Sequence, residues 1–350
     1  MRWKCQHRSL RPLPIRLVFL VVAVPAALYA PPAGAQPGPE IGVYSGRHYN
    51  TDRELYRRFT AQTGIRVRLL EGKDDALIER LRSEGSRSPA DVLVLVDAAR
   101  LDKASDLGLF RPIRSATLLR DVPADLRDSR NRWFGLTRRV RVVIVNPKLV
   151  NPATIRSYAD LAQPALRGKL CLRDSRSVYN QSLVADQLIQ RGEAATGQWV
   201  RGMIANVRQP LFSSDTPLAR AVGRGDCGVG VVNTYYVARM LAGDGGGGDQ
   251  ALARNLRVVF PKPAHGNISG AGVTAASNQV AAATRLIEFL ASPRGGRGYA
   301  EANNEYPLRG YGGNPILNRW GPFQTSGVSA EPMGARNRAA VQLMNSNGWR

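Results

Sequence analysis

The run Asp91-Val92-Leu93-Val94-Leu95-Val96 constrains the fold of this chain most, because after Asp91 it is apolar on both sides. A strand that alternates apolar and polar residues can lie half in water, whereas an unbroken apolar strand needs cover on both faces. The segments before it supply that cover. Ile41 to Ser45 reads as a short strand ending in a turn, and Thr51 to Thr63 as an amphipathic helix carrying Leu55, Phe59 and Ala61. Val67 to Leu70 is the next strand, and Asp75 to Glu84 a helix with Leu77, Ile78 and Leu81 on one side. Strands alternating with helices predict an α/β fold whose parallel sheet is covered on both faces.

A second series follows the stretch Trp133 to Asn146, where Val140, Val142, Val143, Ile144 and Val145 are interleaved with Arg138, Arg139 and Arg141. Lys169 to Leu172 and Gly228 to Val232 read as strands. Asn180 to Arg191, Ala194 to Asn206 and Pro217 to Gly223 read as helices, and Glu331 to Arg350 as a closing helix. Two extended segments, near 137–145 and 257–270, are expected to carry the backbone between halves and so to form a hinge.

Residues 1–35 have the layout of a secretory leader. Five basic residues, Arg2, Lys4, Arg8, Arg11 and Arg16, precede the apolar run Leu17 to Leu28, and Ala33-Gly34-Ala35 offers small residues for cleavage near Ala35. The run holds Pro25 and falls short of the roughly 20 apolar residues a membrane span needs, and Cys5 lies on the basic side of it, so a soluble exported chain is expected. Cleavage would leave about 315 residues, more than one core holds, and two lobes are expected. The formal charge would drop from +22 to +17 with the five leader cations. The arginines are scattered through helices and strands, not gathered in one basic stripe, which argues against a nucleic-acid partner. Such a surface suits an anionic metal chelate or an anionic membrane face, and equally a generally basic proteome.

Cys171 and Cys227 remain after cleavage, and in an exported chain such a pair reads as a disulfide, with a thiolate metal site or redox pair as the alternative. Enzyme signatures are scarce. There is no His-Glu-x-x-His pair, no Gly-x-Ser-x-Gly elbow, and only His48 and His265 remain as histidines. The glycine run Gly243 to Gly248 lacks the Lys-Ser/Thr of a phosphate loop. The pattern favours a binding protein over an enzyme.

Five side chains stand out: His48, Tyr49, Tyr179, Tyr235 and Tyr236. The groups follow the first strand of one series and successive strands of the other, and open α/β sheets bind ligands beyond the carboxyl ends of their strands. A phenol, with an ordinary pKa of about 10, ligates strongly only a cation charged enough to displace its proton. Four phenolates and an imidazole around Fe(III) leave a formal charge near minus one, and Fe(II) leaves one more negative charge. The chemistry leans ferric. Taken singly, each tyrosine also suits a packing role.

The motifs around these residues are Val43-Tyr44-Ser45-Gly46-Arg47-His48-Tyr49-Asn50-Thr51-Asp52, Ser88-Pro89-Ala90-Asp91-Val92, Val178-Tyr179-Asn180-Gln181-Ser182 and Val232-Asn233-Thr234-Tyr235-Tyr236. Together they resemble the periplasmic ferric-iron-binding proteins of iron ABC transporters, the transferrin-like Fbp and Fut type, over about residues 40–350. The resemblance implies a type II periplasmic-binding-protein fold: two α/β lobes joined by two hinge strands, with iron at the bottom of the cleft. The lobes are expected to comprise residues 36–138 plus 263–316 and residues 139–262 plus 317–350. The ligands it implies are His48, Tyr49, Tyr179, Tyr235 and Tyr236. Some relatives use a carboxylate at the position of Val96, which cannot ligate. Asp97 is expected to point to the opposite face as the next residue of the strand. The chain therefore resembles the four-tyrosine branch, in which a synergistic anion is dispensable. Arg139 and Arg141, alternate residues of one strand, are expected to support the phenolates from outside the ligand set, and Arg47 to point to solvent.

The function implied is a monomeric, periplasmic, non-enzymatic receptor that takes up Fe(III) and delivers it to an inner-membrane permease and its ATPase. Two rivals remain at this stage. One is a binding protein of the same architecture for a polyamine or an oxyanion, and the other an exported metalloenzyme using iron or manganese.

Overall fold

The apolar run at 92–96 is a strand buried on both faces, and its side chains divide between two cores. Val92 and Val94 join Ile41, Val43, Phe59 and Leu286, whereas Leu93 and Leu95 join Leu77, Ile78 and Leu101. Each such side chain stabilises the fold by about 1.5–3 kcal/mol, so Leu93→Ala is expected to cost about 2–5 kcal/mol. These contacts belong to a computed structural model that describes residues 1, 38–47, 50–244 and 246–350. The leader and its cleavage point, His48, Tyr49 and one glycine of the run Gly243 to Gly248 lie outside the described residues.

The first series is β1 (Glu40–Ser45), α1 (Asn50–Thr63), β2 (Arg66–Glu71), α2 (Asp74–Glu84), β3 (Val92–Val96), α3 (Ala98–Asp106) and α4 (Ala116–Asp121). The strand β4 (Phe134–Val145) leads into the second: β5 (Leu170–Cys171), α5 (Val178–Asn206), α6 (Asp215–Arg224), β6 (Val229–Asn233), α7 (Thr234–Ala242), α8 (Asp249–Arg254) and β7 (Arg257–Val259). The chain returns through β8 (His265–Val273) to α9 (Val280–Ala291), α10 (Pro293–Glu301), α11 (Pro315–Arg319), α12 (Ala330–Ala335) and α13 (Asn337–Ser346).

The strands lie in the order β2-β1-β3-β8-β4-β6-β5, with β7 paired to β4. Only β1 with β2, β1 with β3, and β5 with β6 are parallel; every pair involving β4 or β8 is antiparallel. The expected all-parallel sheet is therefore corrected to a mixed one. Hydrophobic pattern reports how many faces of a strand are buried and is blind to its direction, which long-range pairing decides.

The architecture is that of a type II periplasmic binding protein, two α/β lobes sharing two strands. The first half of β4 pairs β8 from Phe134 to Arg141, and its second half pairs β6 from Arg141 to Val145. Of the segment 257–270, β8 runs beside β4 through the middle of the sheet, while β7 only flanks β4 at Val143–Val145. Val142 and Ile144 enter one core with Leu218 and Val232, and Val143 and Val145 enter another with Val231 and Trp199.

The helices expected at 180–191 and 194–206 form one element broken at Gly192, whose φ of 76° an L side chain adopts only with strain. The closing helix resolves into α12 and α13. Cys171 and Cys227 form a disulfide with Cα atoms 5.9 Å apart, closing the approach to β5 and β6.

Candidate functional site

Tyr179 stands in the first turn of α5, and Tyr235 and Tyr236 in the first turn of α7, which starts where β6 ends. Helix N-termini present positive potential and favour negative charge on nearby oxygens. The Tyr235 hydroxyl donates to the Tyr179 hydroxyl at 3.2 Å, and the Tyr235 and Tyr236 rings lie 4.3 Å apart between centroids. Tyr235 is buried, whereas Tyr179 and Tyr236 are half-buried. Three phenols that are 56 and 57 positions apart in sequence thus share one region.

Three guanidinium groups surround the Tyr179 ring. Their carbons lie 5.2 Å (Arg139), 5.5 Å (Arg173) and 5.8 Å (Arg141) from its centroid, within cation–π reach. Arg139 and Arg141 share one face of β4 because side chains alternate along a strand.

Two buried carboxylates hold these cations in place. Asp215 Oδ2 accepts from Arg141 Nη1 at 2.6 Å and from the Asn233 backbone N–H at 3.0 Å, while its Oδ1 accepts from Arg173 Nη1 at 3.3 Å. One side chain thereby orients two arginines and the residue that caps α7. Arg141 also donates to Asn180 Oδ1 at 2.7 Å. Arg139 donates to Ser269 Oγ at 3.1 Å and to Asp97 Oδ2 at 3.4 Å.

Burial works against the charge on Arg139, but Asp97, then Tyr179, outweigh it and hold its pKa above the ordinary range. Burial likewise opposes the charge on Arg173, and Asp215, Tyr236 and Tyr179 overcome it. Three cations against two carboxylates leave one formal positive charge beside the phenols. The Nε atoms of Arg139, Arg141 and Arg173 are buried without a hydrogen-bond partner among the described residues. A hydroxyl that loses its proton here acquires negative charge next to a local excess of positive charge. Among the described residues no group of three or more His, Cys, Asp or Glu is placed to hold a metal ion.

His48 and Tyr49 lie outside the described residues. Arg47, just before them, is not the solvent-facing residue the sequence suggests. It is 1% exposed, its Nε bonds Asp52 at 3.0 Å, its Nη1 bonds Glu305 at 2.6 Å, and its guanidinium stacks 4.0 Å from the Tyr299 ring centroid. Its pKa is raised well above the ordinary value because Asp52 and Glu305 outweigh the burial that opposes its charge. One of these acids lies 258 positions away, beyond any local pattern.

Asp97 is corrected as well. The strand stops at Val96, and Asp97 turns to φ 105° to cap α3, its Oδ1 accepting from the Ala99 N–H at 3.1 Å. Its carboxylate then faces Arg139, Asn267 (2.9 Å) and Ser182 (2.5 Å) instead of the far side of the sheet. Alternation along a strand says nothing once the strand has ended. Arg173, Asp215 and Ser182 also escaped the sequence reading. The spacing of Tyr179 and Ser182, three positions apart at a helix start, was a usable sign that both face one side.

A family model for bacterial extracellular solute-binding proteins matches residues 87–325. The chain is 40% identical over 316 residues to iron uptake protein A1 of Synechocystis sp., covering 89% of this chain and 88% of that protein. It is 29% identical to the Fe(3+)-binding periplasmic protein of Serratia marcescens over 95% of this chain and 96% of the relative. Among solved structures, the Trichodesmium FutA protein in complex with iron and citrate superposes with a TM-score of 0.85 at 39% identity, covering 89% of this chain and 100% of that one.

Proposed function

The chain belongs to the bacterial extracellular solute-binding proteins, and on that premise we propose that it is the Fe(III)-capturing component of an iron ABC transporter, with His48, Tyr49, Tyr179, Tyr235 and Tyr236 as its ligands. The observation that carries this reading is the 3.2 Å approach of the Tyr179 and Tyr235 hydroxyls beside three arginines. Phenols packed so closely ionise together only if a strong cation takes the protons' place.

The charges match the ferric state. Four phenolates around Fe(III) leave minus one, which the single surplus positive charge of Arg139, Arg141 and Arg173 over Asp97 and Asp215 cancels. Fe(II) would leave a negative charge uncompensated beside the buried Tyr235. Because this compensation comes from the protein, a synergistic anion is not required. Arg139 and Arg141 act from outside the ligand set by balancing charge, with Arg173 joining them.

Iron is held between a lobe of residues 36–138 plus 263–316 and a lobe of residues 139–262 plus 317–350, which close over it by rotation about β4 and β8. The receptor works as a monomer in the periplasm after removal of its leader near Ala35. It hands iron to an inner-membrane permease driven by an ATPase, performs no catalysis and binds no nucleic acid. Reduction or lobe opening releases the metal.

The three arginines also suit an oxyanion, the cargo of the rival reading, and disfavour a polyamine. Substitution of Tyr235 and Tyr236 by Phe separates the two. Phe keeps the ring packing and removes the oxygens, so iron binding is lost with the fold intact, whereas an oxyanion receptor would keep most of its affinity.

A further inference from the structure

Against the two shared strands lies a cavity of about 380 Å³, within the range of small-molecule sites. One wall is β4 at Arg138–Val140 with β8 at Gly266–Asn267. Leu308, in the core around β1 and β3, and Phe323, packed on the core around β6, both line it, as does Leu126, which packs on the first of these cores and on the one holding Val143 and Val231. Its shape therefore depends on how the two halves stand to one another.

The lining is apolar at Leu126, Val140, Leu308, Phe323 and Val328, and its charge is lopsided. Arg138 and Arg309 line it against one acid, Asp125, while the guanidinium of Arg139, which also borders it, pairs with Asp97 on the side of Tyr179. Arg138 is half-buried yet pairs with no carboxylate among the described residues; its Nε donates to the Pro307 carbonyl at 2.8 Å and its Nη2 to that of Gly310. Burial pushes its pKa below the ordinary value, the sign of a cation whose compensation is incomplete. Arg309 likewise has no carboxylate partner among the described residues and donates to the Arg120 carbonyl at 3.3 Å. A cation at a low-dielectric wall beside apolar surface is best completed by an anion that carries its own apolar body.

We propose that this cavity is a binding site for a small carboxylate with an apolar tail, a medium-chain fatty acid in size and chemistry, whose head meets Arg138 and Arg309 while its tail covers Leu126, Leu308 and Phe323. Because both halves contribute to the walls, an occupant resists their relative rotation and slows exchange of cargo. The last step alone rests on the iron reading given above.

The test titrates octanoate into the iron-free full chain by calorimetry, with octan-1-ol lacking the charge and acetate lacking the tail. Octanoate is expected to bind saturably, with octan-1-ol, acetate, and octanoate on Arg309→Glu each weaker by about tenfold or more. Arg138→Gln is expected to weaken octanoate similarly. Since Arg138 also tethers two backbone carbonyls, the exposed Arg309 decides the matter should that variant fail to fold. Absence of saturable binding, or binding indifferent to Arg309→Glu, overturns the site. On iron-loaded protein, saturating octanoate is expected to slow iron transfer to EDTA roughly threefold or more, and an unchanged rate overturns the coupling. The octanoate titration needs no iron. A chain that binds octanoate but no iron refutes the iron reading alone, and the reverse refutes this inference alone.

Discussion

Ser182 Oγ donates to Asp97 Oδ1 at 2.5 Å, joining the residue that ends β3 to the helix that carries Tyr179. The bond connects segments 85 positions apart in sequence. Asp97 reaches it from a backbone conformation that non-glycine residues rarely adopt, at φ 105° and ψ 136°. Such strain persists only where surrounding contacts over-determine it. Here those contacts are Ser182, Asn267, Arg139 and the Ala99 N–H.

Ser182→Ala removes one hydrogen bond to a charged group, worth about 1.5–3 kcal/mol. Iron transfer to a competing chelator is expected to accelerate by about tenfold or more, while circular dichroism stays unchanged. Asp97→Asn keeps a capping side chain but strips Arg139 of its carboxylate. Breaking a buried pair in this way costs about 3–5 kcal/mol, to be read from denaturant unfolding.

Asp215→Asn is expected to be among the most damaging single changes near the phenols. It leaves Arg141 and Arg173 without their shared carboxylate and loosens the start of α7 at Asn233. A loss of about 3–5 kcal/mol of unfolding free energy should accompany weaker iron binding. Retained stability together with retained affinity would show that Asp215 does not organise this region.

Much of this geometry could be read in the sequence, and the reason differs by element. The β3 run announced its own double-sided burial, and Tyr179, Tyr235 and Tyr236, which follow strands of the second series, lie close together. Arg139 and Arg141 followed from strand alternation. Arg47 did not, because its partner Glu305 is brought in by the returning chain. Asp97 did not, because one turn of backbone converts a strand residue into a helix cap. The antiparallel placement of β4 and β8 was equally hidden, since strand direction leaves no mark on periodicity.

Two aspartates should give stability opposite pH dependences. Burial, then the nearby Asp106, with Glu331 and Asp128 adding, raises the Asp102 pKa to about 6 against the lowering effect of Arg132. Its folded pKa lies above the unfolded value, so its contribution is full below about pH 4 and is lost as pH rises through about 6. Asp102→Asn is therefore expected to raise the unfolding midpoint at pH 7.5, and to bring no gain at pH 3.5. Asp186 behaves in the opposite sense. Burial raises its pKa, but His265, Ser326 and Gln187 more than offset this and leave it lowered. Its contribution is present above the ordinary carboxylate value near pH 4 and is lost as pH falls through the lower folded pKa, so Asp186→Asn is expected to flatten the acid limb of stability against pH.

Reduction of the Cys171–Cys227 disulfide opens a loop with a sequence separation of 56. The chain-entropy model assigns such a crosslink about 4 kcal/mol. The double Ser variant is expected to unfold at correspondingly lower denaturant concentration, and its iron release to quicken, because Arg173 lies two positions beyond Cys171 beside Tyr179.

The central claim is that phenolate oxygens of Tyr179, Tyr235 and Tyr236, with Tyr49 and His48, bind Fe(III) directly, and the visible absorption spectrum during titration of iron-free protein with Fe(III) tests it most directly. A phenolate-to-iron charge-transfer band should grow to an end point at one iron per chain and collapse in the Tyr235→Phe, Tyr236→Phe double variant. A protein that takes up one equivalent of iron and stays colourless, or keeps its colour without those two hydroxyls, would contradict it.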